Sequence, residues 1–524
     1  MLLERPIPIR VQAARVRAVA QDRRVPIVAA LVALALHLAG NPHYGFFRDE
    51  LYFIICGRHP AIGYVDQPPV VPLLAALSQH WGTSLFALRA IASVFAGLSV
   101  YVACLFAVEL GGGAFAQAIA ALVTLLSPEL VTAGLRLSPD TIQVGIWPLI
   151  ALLVLRIAKG ASPKLWLLVG FLAGVAGEAK YSVAFFGVAL IAGILLTPQR
   201  RLLRSWWFAG GLAVALAIVA PNAAWQIQHG FPMLQLLVND YGRYLMENPP
   251  LPIQQIIVMS PLLSVVWIVG LGYLLARRET RFLGYTYIIL IAMMTALKAK
   301  NYYPAPIYPY LIAAGTVPIE AWTAGKRLWR IALPAMVLLF ALPSLPFVLP
   351  ILPLRTEIAY QLFVTRHLHV RFHVMHVESD NTPIQYFADM TGWPELTETV
   401  GNIYNGLPAG ERAQAAVFTH NFGEASAIDL FGTAYGLPPA LSGNNNYWIW
   451  GPRGYSGNVL IDVNGDLATD RKRFRSAQVV TVFHNPYAMP YEDNLPIILC
   501  RGIKTPLPQL WPQLRDYSYA FRAL

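Results

Sequence analysis

The sequence predicts a polytopic α-helical membrane protein of about 11 transmembrane helices with a C-terminal soluble α/β domain. Three observations carry this. Hydrophobic residues make up 56% of the 524 residues and charged ones only 13%. The apolar residues are gathered in runs of about 17 to 25, the length a bilayer demands. Near Pro350 the long runs stop and short β-rich segments begin. Lipid offers the backbone no hydrogen-bond partners, so each run must close its bonds internally as a helix, and the alternating segments of an outer-membrane barrel are absent.

In order, the runs fall at residues 25–40, 85–106, 114–130, 142–155, 165–176, 183–196, 206–227, 257–275, 282–296, 306–322 and 331–349. The region 165–196 is the hardest to divide, because two short helices must fit around the polar break Gly177-Glu178-Ala179-Lys180. Before the first run stand Arg5, Arg10, Arg15, Arg17, Arg23 and Arg24, with no small-residue cleavage signature after it. Residues 1–24 therefore read as the cytoplasmic basic N-terminus of a retained signal anchor.

Charge sets the orientation. The N-terminal arginines, Arg156/Lys159/Lys164, Arg200/Arg201/Arg204, Arg277/Arg278/Arg281 and Lys326/Arg327/Arg330 fall on one side of an odd number of spans, which is the cytoplasmic side. A net charge of +11 is explained by these tethers and calls for no nucleic acid. The division is then 25–350 for the membrane domain and 351–524 for a domain outside the cytoplasm. In the latter, strands are expected at 416–419, 459–463, 479–483 and 497–500, with helical periodicity over 423–435. Cys56 and Cys500 would both face outward and Cys104 lies in a helix, which leaves a Cys56–Cys500 disulfide open.

The loops on the non-cytoplasmic face hold the chemistry-bearing residues. The first contains Arg48-Asp49-Glu50 among Tyr44, Phe46, Phe47, Tyr52 and Phe53; carboxylates so placed are partly desolvated and gain basicity, as a general base requires. Glu50 adjoins Asp49, and helix capping is the alternative role for both. The second loop has Arg136 and Asp140, the latter alternatively a helix cap after Ser138-Pro139. Lys180, Lys298 and Lys300 fit either snorkelling or, beside Tyr302 and Tyr303, the grip on an anionic lipid phosphate at headgroup level. Tyr64, Asp66 and Gln67 precede Pro68-Pro69 and a run, 70–77, too short to span, which predicts an interfacial helix forming a wall for a substrate arriving from lipid. In the distal domain His420, Asn421, Glu424, Asn444, Asn446 and Trp448 offer amides beside indoles, the two needs of a sugar; Asn-Gly-rich turns of purely structural origin are the alternative.

Taken together, the first-loop acid, the PP-introduced interfacial helix, the second-loop Asp and the segment Asn301-Tyr302-Tyr303-Pro304 to Pro309 resemble the GT-C glycosyltransferases of the protein mannosyltransferase and aminoarabinose transferase group. The stretches HNFGEASAIDLFG and SGNNNYWIWGP are similar to those of bacterial members. The resemblance spans essentially the whole chain, and its first-loop and Tyr-Tyr-Pro motifs are moderately specific. It implies an inverting transfer of a sugar from an undecaprenyl or related polyprenyl phosphate to an envelope lipid, glycan or protein, in a bacterial inner membrane. Asp49 matches the family's first-loop acid and Asp140 its second-loop acid. Where the family often has a basic residue before the PP pair, this chain has Gln67, and Lys180 with Lys298 or Lys300 would substitute. No cofactor is required, while a divalent cation, Mg²⁺ or Mn²⁺, stays open. The rival classes are a transporter or flippase, against which the charges gather at one surface and no inverted repeat appears, and a sugar sensor, for which so many spans are excessive.

Overall fold

The computed structural model describes residues 24–240, 250–368 and 382–519; the arginines from Arg5 to Arg23 lie outside them. All the long apolar runs are helical. Leu85–Glu109, Pro139–Ala158, Trp206–Gln228 and Arg327–Phe347 are each long and apolar enough to cross a membrane. Three further candidates are helix pairs bent at short breaks: Ala114–Leu126 with Pro128–Leu135, Ser182–Leu195 with Pro198–Arg204, and Leu251–Val258 with Pro261–Ala276. Arg24–Gly40, Leu165–Gly177 and Arg281–Ala296 are shorter apolar helices. The first and third bends follow from proline: Pro128 and Pro261 cannot donate to the preceding turn, so the helix restarts there in a new direction.

The chain divides into two compact units, 1–41, 86–221 and 245–349 in the first and 42–85, 222–244 and 350–524 in the second. In the first unit glycine permits the closest helix crossing. A methyl group on Gly270 would land on the Leu311 carbonyl, and one on Gly315 on the Val266 carbonyl, so Pro261–Ala276 and Tyr308–Trp322 meet backbone to backbone, as small residues allow between membrane helices. Several basic tethers lie over aromatic rings at helix ends, Arg277 over Tyr273 at 4.3 Å and Lys326 over Trp322 at 4.6 Å. This arrangement gives each cation an apolar stem path and a polar tip.

The second unit is built on a five-stranded sheet of order β2-β1-β3-β5-β4, with β1 Ala415–Thr419, β2 Leu441–Ser442, β3 Val459–Val463, β4 Phe474–Phe483 and β5 Leu495–Ile503. β1 pairs in parallel with β2 and β3, while β5 runs antiparallel to β3 and β4. Every residue of β1 and β3 is buried, which is why they read as mostly apolar segments, interrupted in β3 by Asp462. β2, two residues long, has no sequence signature and was not expected. Cys56 and Cys500 are both buried free thiols, so the disulfide left open by the sequence is not formed.

The first outer loop, expected to be an appendage of the membrane helices, packs instead with the distal residues. It folds into helices Arg48–Arg58 and Val70–Ser78, and the turn between them is stitched to the SGNNNYW stretch: the Val65 N–H donates to Asn446 Oδ1 at 2.7 Å, and Asn445 Nδ2 to Asp66 Oδ2 at 3.4 Å. Val70–Ser78 has the dimensions of the expected interfacial helix and leaves Leu73 and Leu77 exposed.

Candidate functional site

In the first unit, three chain segments bring Asp140, Lys180, Tyr302 and Tyr303 together. Pro139–Ala158 starts on Ser138, whose hydroxyl accepts the Thr141 N–H; the cap is thus Ser138, and Asp140, in the first turn, is left free to pair outward. Its two oxygens receive Lys180 Nζ at 2.7 and 2.8 Å. Lys180 occupies the break between Leu165–Gly177 and Ser182–Leu195, and the fully buried Gln143 holds that break: its Nε2 donates to the Ala176 carbonyl at 2.8 Å while its Oε1 accepts from the Trp147 indole. The ammonium lies 3.9 Å from the Tyr303 ring centre and 5.1 Å from that of Tyr302. The two rings meet edge to face at 5.0 Å. Their segment turns back at Lys298, whose φ of 53° is left-handed, and is held by Gln255 Nε2 on the Asn301 carbonyl.

Lys180 and Asp140 keep side-chain exposures of 16% and 18%, so a ligand can reach the pair while the surrounding helices still limit its hydration. Glu129 interacts electrostatically with both members of the pair and with Arg136. Glu129 was missed in the sequence; the signal was Ser127-Pro128-Glu129, a proline break inside an apolar run. Lys298 is exposed and Lys300 half-buried, both on the turn that carries the tyrosines.

In the second unit the adjacent carboxylates of Asp49 and Glu50 have different surroundings. Asp49 is 39% exposed and accepts from Arg48 Nε at 3.4 Å. Arg48 is itself buried, its guanidinium 3.8 Å from Asp389 and above the Phe422 ring. Glu50 is fully buried and its Oε2 accepts the Phe47 N–H at 2.9 Å, closing the first turn. The structure thus gives Glu50 a capping role, its carboxylate satisfying a backbone N–H that the first turn leaves without a helical partner.

Asp66 is buried with Tyr52 Oη donating at 3.1 Å and Asn445 at 3.4 Å. Burial pushes its carboxyl up to about 7, with Asp49 adding to the rise and the Tyr52 bond opposing it. Gln67, in the place of the family's basic residue, is 2% exposed with neither amide atom hydrogen-bonded. Tyr64 is committed internally, its hydroxyl donating to the Cys56 carbonyl at 3.0 Å.

The distal constellation is also committed internally. Asn421 caps Phe422–Phe431 by accepting the Glu424 N–H and donates to Glu492. Asn444 accepts from the Phe422 N–H and donates to the Asp516 and Ser518 carbonyls. Asn446 holds Val65, and the Trp448 indole donates to the Trp511 carbonyl. These bonds give each of the three asparagines and Trp448 a role within the fold, as the structural alternative expects. His420 and Glu424 form part of a buried charged network: His420 Nε2 is 2.9 Å from Asp462, and Glu424 accepts from the His420 N–H and from Asn464. Burial pulls the His420 imidazole down, but Asp462 outweighs it and raises it to about 9, whereas burial lifts Glu424 to about 7.

A divalent cation finds no ready site. Among the described residues no group of three or more His, Cys, Asp or Glu side chains is placed to hold one, and Asp140, the best-placed acid of the first unit, already has an ammonium on both oxygens.

Residues 66–225 match the family model described as dolichyl-phosphate-mannose-protein mannosyltransferase. That segment contains Asp66, Gln67, Arg136, Asp140 and Lys180; Asp49 and the Tyr302-Tyr303 turn lie outside it. No curated protein matches the chain. Two solved structures are similar in fold, the crystal structures of ArnT from Cupriavidus metallidurans bound to undecaprenyl phosphate and in the apo state. Each is 14% identical with a TM-score of 0.59, over 90% of this chain and 97% or 96% of the other. The chain therefore has the fold of ArnT and, over residues 66–225, is similar to the dolichyl-phosphate-mannose-protein mannosyltransferase family model.

Proposed function

We propose that this protein is an inverting glycosyltransferase of a bacterial inner membrane, moving a sugar from a polyprenyl-phosphate-linked donor to an extracytoplasmic lipid, glycan or protein. The observation that carries the reading is the Lys180 ammonium, partly exposed, paired to Asp140 and framed by two tyrosine rings, inside a segment of mannosyltransferase pattern. The similar ArnT structure bound to undecaprenyl phosphate supports the same class of donor.

The chemistry follows from charge. In the donor the anomeric carbon is bonded to an oxygen of a phosphate diester; as that bond breaks, its electron pair stays on the phosphate, which gains negative charge. Cations that hold the phosphate interact more strongly with the transition state than with the ground state, and so raise the rate. Lys180 takes this role, with Arg136 adding positive potential and Asp140 fixing the direction of the ammonium. Lys298 and Lys300 raise the local positive charge along which a lipid phosphate is drawn.

The acceptor needs a single proton removed as its oxygen attacks from the opposite face, giving inversion. Asp49 is the accessible carboxylate of the first loop and serves as base or orienting group. Asp66, with its raised carboxyl, lies within electrostatic reach of Asp49 and holds the loop that carries it. The test is transfer of a labelled sugar from synthetic polyprenyl phosphate by the purified full chain, with mass spectrometry of envelope glycans from cells with and without the gene. Movement of the lipid-linked sugar across a bilayer without any transfer would replace this reading with a flippase.

A further inference from the structure

Within the second unit, the helix Pro232–Asp240 and the segment 515–517 border an open cleft of about 420 Å³ lined by Leu234, Gln235, Val238, Asn239, Arg515 and Tyr517. That volume falls in the range of small-ligand sites. None of Asp49, Asp66 and the Lys180 group lines it. The Arg515 guanidinium is flanked by two rings, 5.4 Å from the centre of Trp448 and 5.5 Å from that of Tyr517. Among the described residues it has no carboxylate partner. Asp516, the next residue in the chain, accepts from the Ser518 hydroxyl at 2.7 Å, and Asp240, at the end of the bordering helix, from the Tyr519 N–H at 3.1 Å.

The amides of the wall are oriented by their own bonds. Asn239 Nδ2 donates to the Tyr517 carbonyl and Gln235 Nε2 to the Gly230 carbonyl. Each is thereby left with its carbonyl oxygen as an acceptor, while Leu234 and Val238 stay largely exposed. The wall thus offers one exposed planar cation between two rings, two acceptors for hydroxyl protons and an aliphatic strip. A guanidinium binds carboxylate or phosphate through paired N–H donors, and amide oxygens with an apolar strip suit the hydroxyls and C–H face of a sugar ring.

We infer that this cleft binds an anionic sugar, a pyranose carrying a phosphate or carboxylate group, through Arg515. The inference goes beyond the transferase reading, since binding here needs no turnover. It is tested on the purified full chain by isothermal titration with glucose 1-phosphate, glucuronate and glucose, with hydrogen–deuterium exchange over 232–240 and 507–519 to locate the contact. Both anionic sugars, or one of them, should bind at least about tenfold more tightly than glucose, and whichever is preferred identifies the substituent. Arg515→Gln should erase the preference, whereas Asp49→Asn and Lys180→Ala should keep it, which separates this site from the proposed transfer site. Leu234→Trp, at an exposed position, fills the cleft and should abolish binding whether or not Arg515→Gln folds. Equal binding of all three sugars, a preference that survives Arg515→Gln, or protection absent from both segments overturns the assignment.

Discussion

Replacing Asp49 and Glu50 one at a time separates chemistry from architecture at neighbouring positions. The Glu50 carboxylate is fully buried and its 2.9 Å bond satisfies the Phe47 N–H, one of the orphan donors at the start of Arg48–Arg58. Glu50→Ala strands that buried N–H, at about 1–3 kcal/mol, and opens a small void, so the total destabilisation is about 2–4 kcal/mol. Asp49, 39% exposed and 3.4 Å from Arg48, is a half-solvated ion pair, and Asp49→Asn should change stability by less than about 1 kcal/mol. The activities should run the other way. Removing a general base lowers the transfer rate by about 10²- to 10⁴-fold, whereas Glu50→Ala should retain near-native turnover per folded molecule. The assay is thermal unfolding in detergent followed by tryptophan fluorescence, paired with single-turnover sugar transfer on the same preparations. Near-native transfer by Asp49→Asn, or a Glu50→Ala protein that is fully stable yet inactive, would refute the division of labour.

The remaining predictions concern the phosphate grip, pH, helix packing and the thiols. Lys180→Ala should weaken binding of polyprenyl phosphate by about tenfold or more, and unchanged affinity in a lipid-binding titration removes Lys180 from the site. Asp66, Glu424 and Asp470 have carboxyls raised from 3.8, 4.5 and 3.8 to about 7. Because the folded state holds these protons more tightly than the unfolded chain, their contribution is fully present below about pH 4 and is lost as pH rises through 7. His420, raised from 6.5 to about 9, acts in the same direction between 6.5 and 9. The unfolding midpoint should therefore fall from pH 5 to pH 8, less steeply in Asp66→Asn; a rise over that window contradicts the burial of these groups. Gly315→Leu should prevent accumulation of folded protein, since its side chain meets the Val266 backbone, while Gly272→Leu, with open space around it, should be tolerated; the two expression levels in membranes decide this. A reductant should leave the unfolding midpoint unchanged, because Cys56 and Cys500 are free.

What could be read from the sequence depended on whether a residue's role is set by its neighbours in the chain or by distant ones. The apolar runs and the strands β1 and β3 were legible because burial on all sides writes itself as a mostly apolar segment, even with Asp462 inside β3. The break at Gly177 to Lys180 was legible because charge cannot continue through a lipid-spanning helix at low cost. β2 was not, since two residues carry no period. The allegiance of the first loop was hidden for a different reason. Val65 and Asn446 are far apart in sequence, and an asparagine that bonds a distant backbone N–H looks the same in the chain as one that waits for a ligand. The same ambiguity left two readings open for Asn421, Asn444 and Trp448, which bond to other groups of the fold. Amide-rich turns reveal polarity; only coordinates reveal whether that polarity is already spent.

That distinction sharpens what should count as a site in this fold. Among the polar residues singled out in the chain, the buried Glu50, Asn421, Asn444 and Asn446 have protein partners, as desolvation favours for a group without water, and the buried amide of Gln67 is the exception. Those with partial exposure, Asp49, Asp140 and Lys180, are paired with an opposite charge at one side and open at another. An ion pair of this kind is a weak contributor to stability, so folding alone gives little reason for Asp140 and Lys180, on separate helices, to meet. A phosphate does: it can share the ammonium with the carboxylate, and the aromatic frame of Tyr302 and Tyr303 keeps the ammonium from retreating into bulk solvent as charge develops. On this view Gln67 loses its claim to the family's missing cation, since an uncharged and buried amide supplies no field at a phosphate, and the burden of positive charge falls on Lys180. Asp140→Asn then becomes informative in its own right. If the carboxylate merely neutralised the lysine, its loss would strengthen phosphate binding; if it aims the ammonium, binding would be preserved while transfer slows.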